Sequence, residues 1–343
     1  MEIQENKIHL FHYNPIWNFE SDAKNFIEFL ENNENIHILL DNTDDSCVIF
    51  GNHLELWNEI YNISLKNRIK ITILSIGEQK NKNKFDNFEY ISFPISHLYG
   101  TYDTICRNRK NYNGQLKIYD KFKPKYFIKS LNRQPHLSRC MMIDQLEAHR
   151  LINSNSLITW NYHSDGGYYK DYEKYNFQYW EEKLIQIDNP DEWSTQYTSD
   201  IIDNNNSLIH LVGETPTDTI GFTEKTWKPI LNGEIFIIYG NTKQNQQLLE
   251  YGFSLYDEII DYEFDNLDLQ KGIPYIVNQL TKIQNVKFSD IYEKVKHKII
   301  HNHNTAIDII KNKKFIPNII KNKDDLEIHS MSYNLIPILQ DEN

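Results

Sequence analysis

Val212–Gly240 reads VGETPTDTIGFTEKTWKPILNGEIFIIYG. Its order predicts the end of a strand, a loop, a short helix over Thr223–Asn232 that is closed by Gly233, and an apolar strand over Glu234–Gly240. Strands that alternate with helices in this way are typical of a parallel sheet with helices on both faces. We therefore predict that this segment belongs to an α/β domain.

The same alternation extends in both directions along the chain. The other predicted strands are Lys7–Tyr13, Ile36–Asp41, Cys47–Gly51, Lys70–Gly77, Glu89–Phe93, Lys125–Ser130, Leu157–Trp160 and Ser207–Val212. The other predicted helices are Phe19–Glu31, a segment that starts at Leu54, Ser138–Leu151, Gln244–Tyr251, Gln270–Ile283 and Ser289–Lys311. Because the pattern restarts near 122–124, we predict an amino-terminal domain over 1–122, a second domain over 123–311 and a less regular tail over 312–343.

The composition excludes several classes of protein. The chain has 343 residues and a formal net charge of −12, and 40% of its residues are hydrophobic, which predicts a folded protein of about two domains. The acidic balance disfavours nucleic acid as a partner, because phosphate binding depends on Lys and Arg. No apolar run approaches the roughly 20 residues that a membrane span needs.

The cysteines and the amino terminus bear on the cellular location. Three cysteines, an odd number and far apart in the chain, favour a reducing compartment and argue against a disulfide scaffold or a zinc site. The first residues, MEIQENKIHLFHYN, show no signal peptide, so we expect a cytoplasmic protein. The excess of Asn, Ile, Lys and Tyr indicates an AT-rich genome, viral, bacterial or from a parasite.

The start of the predicted helix in Val212–Gly240 suits a nucleoside diphosphate. Thr223, Glu224 and Lys225 stand there, and Glu214 follows the preceding strand. A helix amino terminus attracts anions, a lysine adds a point charge for phosphate, and a carboxylate accepts hydrogen bonds from the hydroxyls of a ribose. The same residues also fit an ordinary capped helix, in which Thr223 is the N-cap and Lys225 is solvated. The residues alone leave both interpretations open.

A second segment, Ser130–Arg139, reads SLNRQPHLSR and follows the first predicted strand of the second domain. Arg133 and Arg139 lie in it, and a guanidinium group binds a diphosphate in a bidentate manner. The alternative is that Arg139 pairs with Glu147 or Asp144 of its own helix while Arg133 is solvated.

These segments occur in an order that resembles a known group of enzymes. SLNRQPHLSR, VGET, FTEKTWKPILNGEIFIIYG and the acidic IIDYEFD are similar to the donor-binding half of glycosyltransferases, namely the alpha-1,3-fucosyltransferases and the exostosin-like and phage-encoded sugar transferases. The resemblance covers roughly Lys125–Asp265. It implies a GT-B fold, in which two Rossmann-like domains face each other across a cleft.

The resemblance also implies roles for particular residues. Glu224 is expected to hold the ribose, and Lys225 and Arg133 to neutralise the diphosphate. Glu214 and Thr223 are expected to line the donor site, with Arg139 beside them. No metal and no cofactor other than the nucleotide-sugar donor are implied, and no Asp-x-Asp follows a predicted strand. The Trp227–Ile230 continuation departs from the fucosyltransferases, so the sugar stays open.

An inverting transferase also needs a general base for the acceptor hydroxyl. We expect it at the carboxyl end of a strand in the amino-terminal domain, where His12, Asp41, His53 and His97 are candidates. His12 and His97 are the preferred pair, because each lies at or shortly after the end of a predicted strand. Each could equally be a locally bonded residue.

The sequence thus predicts a metal-independent, inverting glycosyltransferase that moves a sugar from a nucleoside-diphosphate sugar to a hydroxyl of a glycan or of a lipid-linked saccharide. One alternative is a phage-type DNA glycosyltransferase that acts on a hydroxymethylated base. The net charge disfavours it, whereas a basic strip favours it, although the strip could equally be a solvated face; it consists of Arg107–Lys110, Lys117, Lys121, Lys123 and Lys125. Another alternative is a non-catalytic module that binds nucleotide or glycan. A dehydrogenase is disfavoured, because no Gly-x-Gly-x-x-Gly follows the first strand.

Overall fold

The computed structural model describes residues 7–12, 19–43, 54–76, 85–108, 124–132, 136–160, 175–179, 207–214 and 221–339. The chain divides into two compact units. The first unit contains Met1–Asp103, Thr217–Thr223 and Asn312–Asn343, and the second contains Thr104–Pro216 and Glu224–Lys311. Each unit has its own parallel sheet.

The first unit has a five-stranded sheet. Its strands are β1 (Ile8–His12), β2 (His37–Asn42), β3 (Lys70–Ser75), β4 (Phe88–Ser92) and β9 (Leu326–Ile328), in the order β4-β3-β2-β1-β9. Its helices are α1 (Phe19–Glu31), α2 (Leu54–Asn67), α3 (Ser96–Asn108) and the short α9 (Ile336–Leu339). Buried apolar side chains of α1, α2 and the central strands form the core, among them Leu30, Ile38, Trp57 and Ile71.

The last strand of the chain completes this sheet. β9 pairs with β1 in parallel, so that Ile8 lies opposite Leu326 and His9 lies opposite Glu327. The main-chain N–H groups of His329 and Ser330 then donate to the carbonyl of Leu10, at 2.9 and 3.3 Å. The carboxy-terminal segment is therefore held along β1 by backbone hydrogen bonds.

The second unit has a four-stranded sheet. Its strands are β5 (Tyr126–Asn132), β6 (Ser156–Trp160), β7 (Ser207–Gly213) and β8 (Ile235–Tyr239), in the order β6-β5-β7-β8. Its helices are α4 (Leu137–Ala148), α5 (Glu224–Asn232), α6 (Gln244–Glu250), α7 (Leu269–Ile283) and α8 (Phe288–Lys311). The chain moves from β5 outward to β6 and then back to β7 on the other side, so the strand order reverses between β5 and β7. Ligands of such sheets bind at the carboxyl ends of the strands beside that reversal.

The predicted α/β class with parallel sheets is confirmed, and the predicted strands and helices agree with the described ones to within a few residues. Of the elements named above, three were not predicted: α3, α9 and β9. The predicted strand Cys47–Gly51 lies outside the described residues. The sequence put a boundary near 122–124 and a separate tail at 312–343, whereas the compact units divide at Asp103 and include 312–343 in the first unit, because β9 pairs with β1. Over the described part of the chain, no helix is both long and apolar enough to cross a membrane.

Candidate functional site

The carboxyl ends of β5, β7 and β8 form one edge of the second sheet. Asn132 ends β5, Gly213 ends β7 and Tyr239 ends β8. The hydroxyl of Tyr239 donates to Oδ1 of Asn132 at 3.4 Å and so links the two outer strands of the three across β7. Gly213 leaves the space for this contact, because a Cβ there would lie 2.6 Å from the Tyr239 hydroxyl oxygen. At this edge of the sheet, the Tyr239 side chain therefore packs directly against the backbone of β7.

Glu214 follows β7 and is fixed from two sides. Its main-chain N–H donates to the carbonyl of Tyr239 at 3.0 Å, and its Oε1 accepts a hydrogen bond from the Thr226 hydroxyl at 2.7 Å. Gly240 has φ +156°, and a Cβ there would lie 2.8 Å from the Glu214 carbonyl oxygen, so a side chain does not fit at this position. The buried carboxylate of Glu214 is thus held between β8 and α5.

Helix α5 begins at the same edge. Its first residue, Glu224, forms an ion pair with Lys225, whose Nζ lies 3.2 Å from Glu224 Oε1. The side chain of Lys225 is 34% exposed and that of Glu224 is 14% exposed, so the lysine is the more open member of this pair. Thr223, partly buried, directly precedes the helix. The positive end of the helix dipole and the lysine favour an anion here.

Arg139 lies beneath the edge that the carboxyl ends of β5, β7 and β8 form. Its guanidinium is buried, and Nη2 donates to the carbonyl of Gly213 at 2.9 Å. Burial lowers the pKa of Arg139, while Tyr239, Glu214 and Glu224 act in the opposite direction. Because an arginine keeps its charge in proteins, this places a fixed positive charge beneath the ends of β7 and β8.

His136 precedes α4 at the N-cap position. Burial, followed by the charges of Arg139 and Lys225, lowers the pKa of His136 to about 3. The imidazole is therefore neutral at pH 7. Burial has the largest effect, and the two cations act in the same direction because each of them disfavours the imidazolium form.

We call these five residues the edge cluster: His136, Arg139, Glu214, Glu224 and Lys225. Its cations and the start of α5 suit a phosphate group. Its carboxylates do not bind phosphate, but they accept hydrogen bonds from the hydroxyls of a sugar. The arrangement is therefore chemically suited to a ligand that carries both anionic oxygens and vicinal hydroxyls.

Most of the predicted donor-site residues lie together. Arg139, Glu214, Glu224 and Lys225 belong to the edge cluster, and Thr223 is adjacent to it in the chain. Arg133 lies outside the described residues. Their roles in binding a donor stay predictions.

The two predicted base candidates lie in the first unit. His12 ends β1, and its main-chain N–H donates to the Ser330 hydroxyl at 2.8 Å. His97, the second residue of α3, is 1% exposed, and its Nδ1 lies 2.6 Å from the Tyr333 hydroxyl oxygen. Both are therefore in contact with the carboxy-terminal segment. A catalytic role for either stays a prediction.

The same segment contacts Asp41 at the end of β2. This buried carboxylate accepts from the Thr43 hydroxyl at 2.7 Å and from the main-chain N–H of Ser332 at 2.8 Å. Thr43 in turn accepts from the Asn334 amide at its carbonyl, at 2.9 Å. Residues 330–334 thus bind the carboxyl ends of β1 and β2, which is where the sequence predicted acceptor chemistry. His53, also considered as a base, lies outside the described residues.

Sequence analysis missed three residues of the edge: His136, Thr226 and Tyr239. His136 stands in the quoted segment Ser130–Arg139, two residues before the predicted helix Ser138–Leu151, and becomes the N-cap because the helix begins one residue earlier, at Leu137. Thr226 and Tyr239 lie in the quoted segment Val212–Gly240. Their partners, Glu214 and Asn132, are 12 and 107 residues away, and such pairings require the fold.

The fold and the edge cluster together define an α/β protein with two parallel sheets and an anion-suited strand edge. No protein-family model matches the chain, and no curated protein matches it in sequence. Solved structures of alpha1,3-fucosyltransferase are similar to it. One with GDP is 12% identical, with a TM-score of 0.39, over 88% of this chain and 92% of that one. One with GDP-fucose is 10% identical, with a TM-score of 0.33, over 85% and 90%. Similarity at this level says nothing about the substrate of this chain.

Proposed function

We propose that this protein is a glycosyltransferase that binds a nucleoside-diphosphate sugar at the edge cluster. The observation that carries the proposal is the start of α5, where Glu224 and the partly exposed Lys225 lie beside a strand-order reversal and above the buried Arg139. A helix start with cations attracts the diphosphate, and a carboxylate in the same turn receives the ribose hydroxyls.

In the proposed reaction, each cationic group at this edge has its own role. Lys225 and the α5 amino terminus neutralise the charge that develops on the leaving diphosphate as the bond from the sugar carbon breaks. Arg139 adds a fixed charge and holds the Gly213 carbonyl in place. The predicted Arg133 acts with them. With cations on the leaving group, the transfer needs no metal at the donor site.

The acceptor half of the reaction is proposed from the sequence. An acceptor hydroxyl of a glycan attacks the sugar carbon, its proton passes to a base, and the configuration at that carbon inverts. Of the two candidate bases, His12 is the more accessible, since His97 is 1% exposed. A His12→Gln variant that retains donor binding and loses turnover supports this role, and one that retains full turnover excludes it.

A panel of melting temperatures tests donor binding. GDP, UDP, CMP, ADP and dTDP are each added to the full-length chain in EDTA, and each melting temperature is compared with that of the chain in EDTA alone. A ligand at 100 times its dissociation constant stabilises by about 2.7 kcal/mol. We expect one diphosphate to stabilise the protein in EDTA. No shift with any nucleotide contradicts the proposal.

A further inference from the structure

A second cluster of chemically active side chains lies at the junction of β1 and β9. It contains His9, Glu327 and His329, which offer ligand atoms that all lie within 4.8 Å of one another. His9 Nδ1 lies 3.1 Å from His329 Nε2 and 3.6 Å from Glu327 Oε2, and His329 Nε2 lies 3.7 Å from Glu327 Oε1. Two imidazole nitrogens therefore face each other, and one carboxylate oxygen reaches toward each of them.

The backbone fixes the positions of all three residues. His9 and Glu327 are direct partners in the parallel pairing of β1 with β9. His329 follows β9 by one residue, and its main-chain N–H donates to the Leu10 carbonyl at 2.9 Å. The cluster is thus carried by regular hydrogen-bonded strands, which hold ligand groups more rigidly than a free loop does.

Aromatic packing fixes the two imidazole rings as well. The ring of His329 stacks on Phe11 with centroids 4.4 Å apart and an interplanar angle of 5°. Phe29 contacts both imidazoles edge-on, at 5.4 Å from His9 and 5.1 Å from His329. Neither ring can rotate freely, so both nitrogens are preorganised toward the same point.

The separations agree with the geometry of a zinc ion. Zinc is bound tetrahedrally by histidine nitrogens and carboxylate oxygens at about 2.0–2.2 Å, which puts two ligand atoms roughly 3.3–3.5 Å apart. The two imidazole nitrogens lie 3.1 Å apart, Glu327 Oε2 lies 3.6 Å from His9 Nδ1, and Glu327 Oε1 lies 3.7 Å from His329 Nε2. A rotation of the half-exposed carboxylate therefore presents one oxygen to both nitrogens. The side chains of His9, His329 and Glu327 are 15%, 29% and 50% exposed, so an ion can enter and a water can complete the tetrahedron.

We propose that His9, Glu327 and His329 bind one zinc ion, with water as the fourth ligand, and that the ion joins the carboxy-terminal strand to β1. Residues 330–334, which contact the ends of β1 and β2, follow this junction directly, so the ion also anchors them. The proposal is independent of the proposed donor site, which lies in the second unit. The sequence analysis predicted no metal site, because the three cysteines do not suit one. The proposed site uses histidine and glutamate instead.

Zinc titration of the full-length chain tests this site. The protein is freed of metal with a chelator, the chelator is removed, and Zn²⁺ affinity is measured by competition with a fluorescent indicator. We expect one tight equivalent, and we expect that His9→Gln and His329→Gln each weaken it by about tenfold or more, as loss of a ligand interaction does. The control is His297→Gln, whose exposed imidazole faces Glu258 at 3.7 Å in the second unit. It should leave the affinity unchanged.

A variant at a residue outside the aromatic packing distinguishes loss of metal binding from misfolding. Glu327→Gln keeps the size of a half-exposed side chain and makes none of the ring contacts, so it should fold and still lose most of the affinity. Zn²⁺ should raise the melting temperature of wild type and not that of Glu327→Gln. The proposal is overturned if wild type binds no tight equivalent, or if Glu327→Gln and His329→Gln both bind as tightly as wild type. Nucleotide binding, measured on the same variants, should be unchanged.

Discussion

The second sheet carries two groups of charged side chains that differ in how they are arranged. In the middle of the sheet, Lys129, His210 and Glu234 form what we call the buried triad. Lys129 Nζ lies 2.9 Å from Glu234 Oε2, and His210 Nδ1 lies 3.0 Å from the same oxygen. Although burial alone raises it, Lys129 and His210 together lower the pKa of Glu234 to about 2. All three side chains are buried, with at most 8% of a residue exposed, at His210.

The edge cluster has similar residue types in a different setting. Lys225 is one-third exposed, its partner Glu224 begins a helix, and the buried Arg139 contacts a main-chain carbonyl. Arg139 and Glu214 are buried as the triad is, whereas Lys225 and, to a smaller extent, Glu224 reach solvent. The comparison shows that a buried ion pair alone does not mark a site. In the proposed function, the distinguishing feature is a partly open cation at a helix start beside a strand-order reversal.

The largest expected effect is the loss of stability that follows when the buried triad loses its carboxylate. Glu234→Gln leaves the Lys129 ammonium buried without a carboxylate, so we expect a loss of about 3 kcal/mol in the free energy of unfolding. Urea unfolding measures it. The double variant Lys129→Met with Glu234→Gln should recover part of that loss, because it removes the unpaired charge. A loss below about 1 kcal/mol in the single variant would show that the Lys129 ammonium does not need the Glu234 carboxylate as its counter-charge.

A smaller effect is expected where the edge cluster contacts α5. Thr226→Val keeps the shape of the side chain and removes its 2.7 Å hydrogen bond to the buried Glu214. We expect a loss of about 2 kcal/mol, the range for a buried hydrogen bond to a charged group. Thr226→Ser, which keeps the hydroxyl, is the matched control and should retain most of the stability. Equal losses in the two variants would point to the methyl group instead.

The pH dependence of stability tests the convergence of cations on His136. Its pKa is about 3 in the folded chain and about 6.5 in the unfolded chain, so below pH 6.5 the unfolded chain binds a proton that the folded chain does not. The stabilisation is therefore complete above pH 6.5 and is lost as the pH falls toward 3. Between pH 7 and 5, wild type should lose about 1 kcal/mol more than His136→Gln, after allowance for partial exposure. Parallel losses would mean that His136 titrates normally.

The smallest expected effect on stability is that of Lys225. The ion pair with Glu224 is partly solvated, and such pairs contribute about 0–1 kcal/mol. Lys225→Gln should therefore change the free energy of unfolding by less than about 0.5 kcal/mol in a urea titration. A loss near that of Glu234→Gln would make Lys225 a structural residue like those of the buried triad.

Much of the fold could be predicted, because apolar runs and turn glycines are local signals. The end of α5 at Gly233, which has φ 70°, and the continuous apolar strand β8 both follow from residues next to each other in the chain. β9 was missed because three residues are too few to show a period, and only the open edge of β1 makes them a strand. α3 was missed because Gly100 and the β-branched Thr101, Thr104 and Ile105 lower its intrinsic helix propensity.

In the candidate site, too, the residues with a local sequence signal were predictable and those that depend on distant contacts were not. Glu224 and Lys225 were predictable, because a helix start is visible in the sequence. The low pKa of His136 depends on burial and then on Arg139 and Lys225. Lys225 is 89 positions away in the numbering, and no local pattern reports such a contact. His9 and His329 are separated by 320 positions, so the zinc site proposed at β1 and β9 could not be predicted at all.

The central claim is that the edge cluster binds a nucleoside diphosphate through Lys225. Calorimetric titration with the most stabilising nucleotide tests it on wild type, Lys225→Gln and Lys271→Gln, whose lysine is 73% exposed beside Asp268 on α7. We predict that wild type and Lys271→Gln bind alike, and that Lys225→Gln binds at least about tenfold more weakly, a difference of about 1.4 kcal/mol. Equal affinity in all three proteins, or no binding by wild type, would contradict the claim.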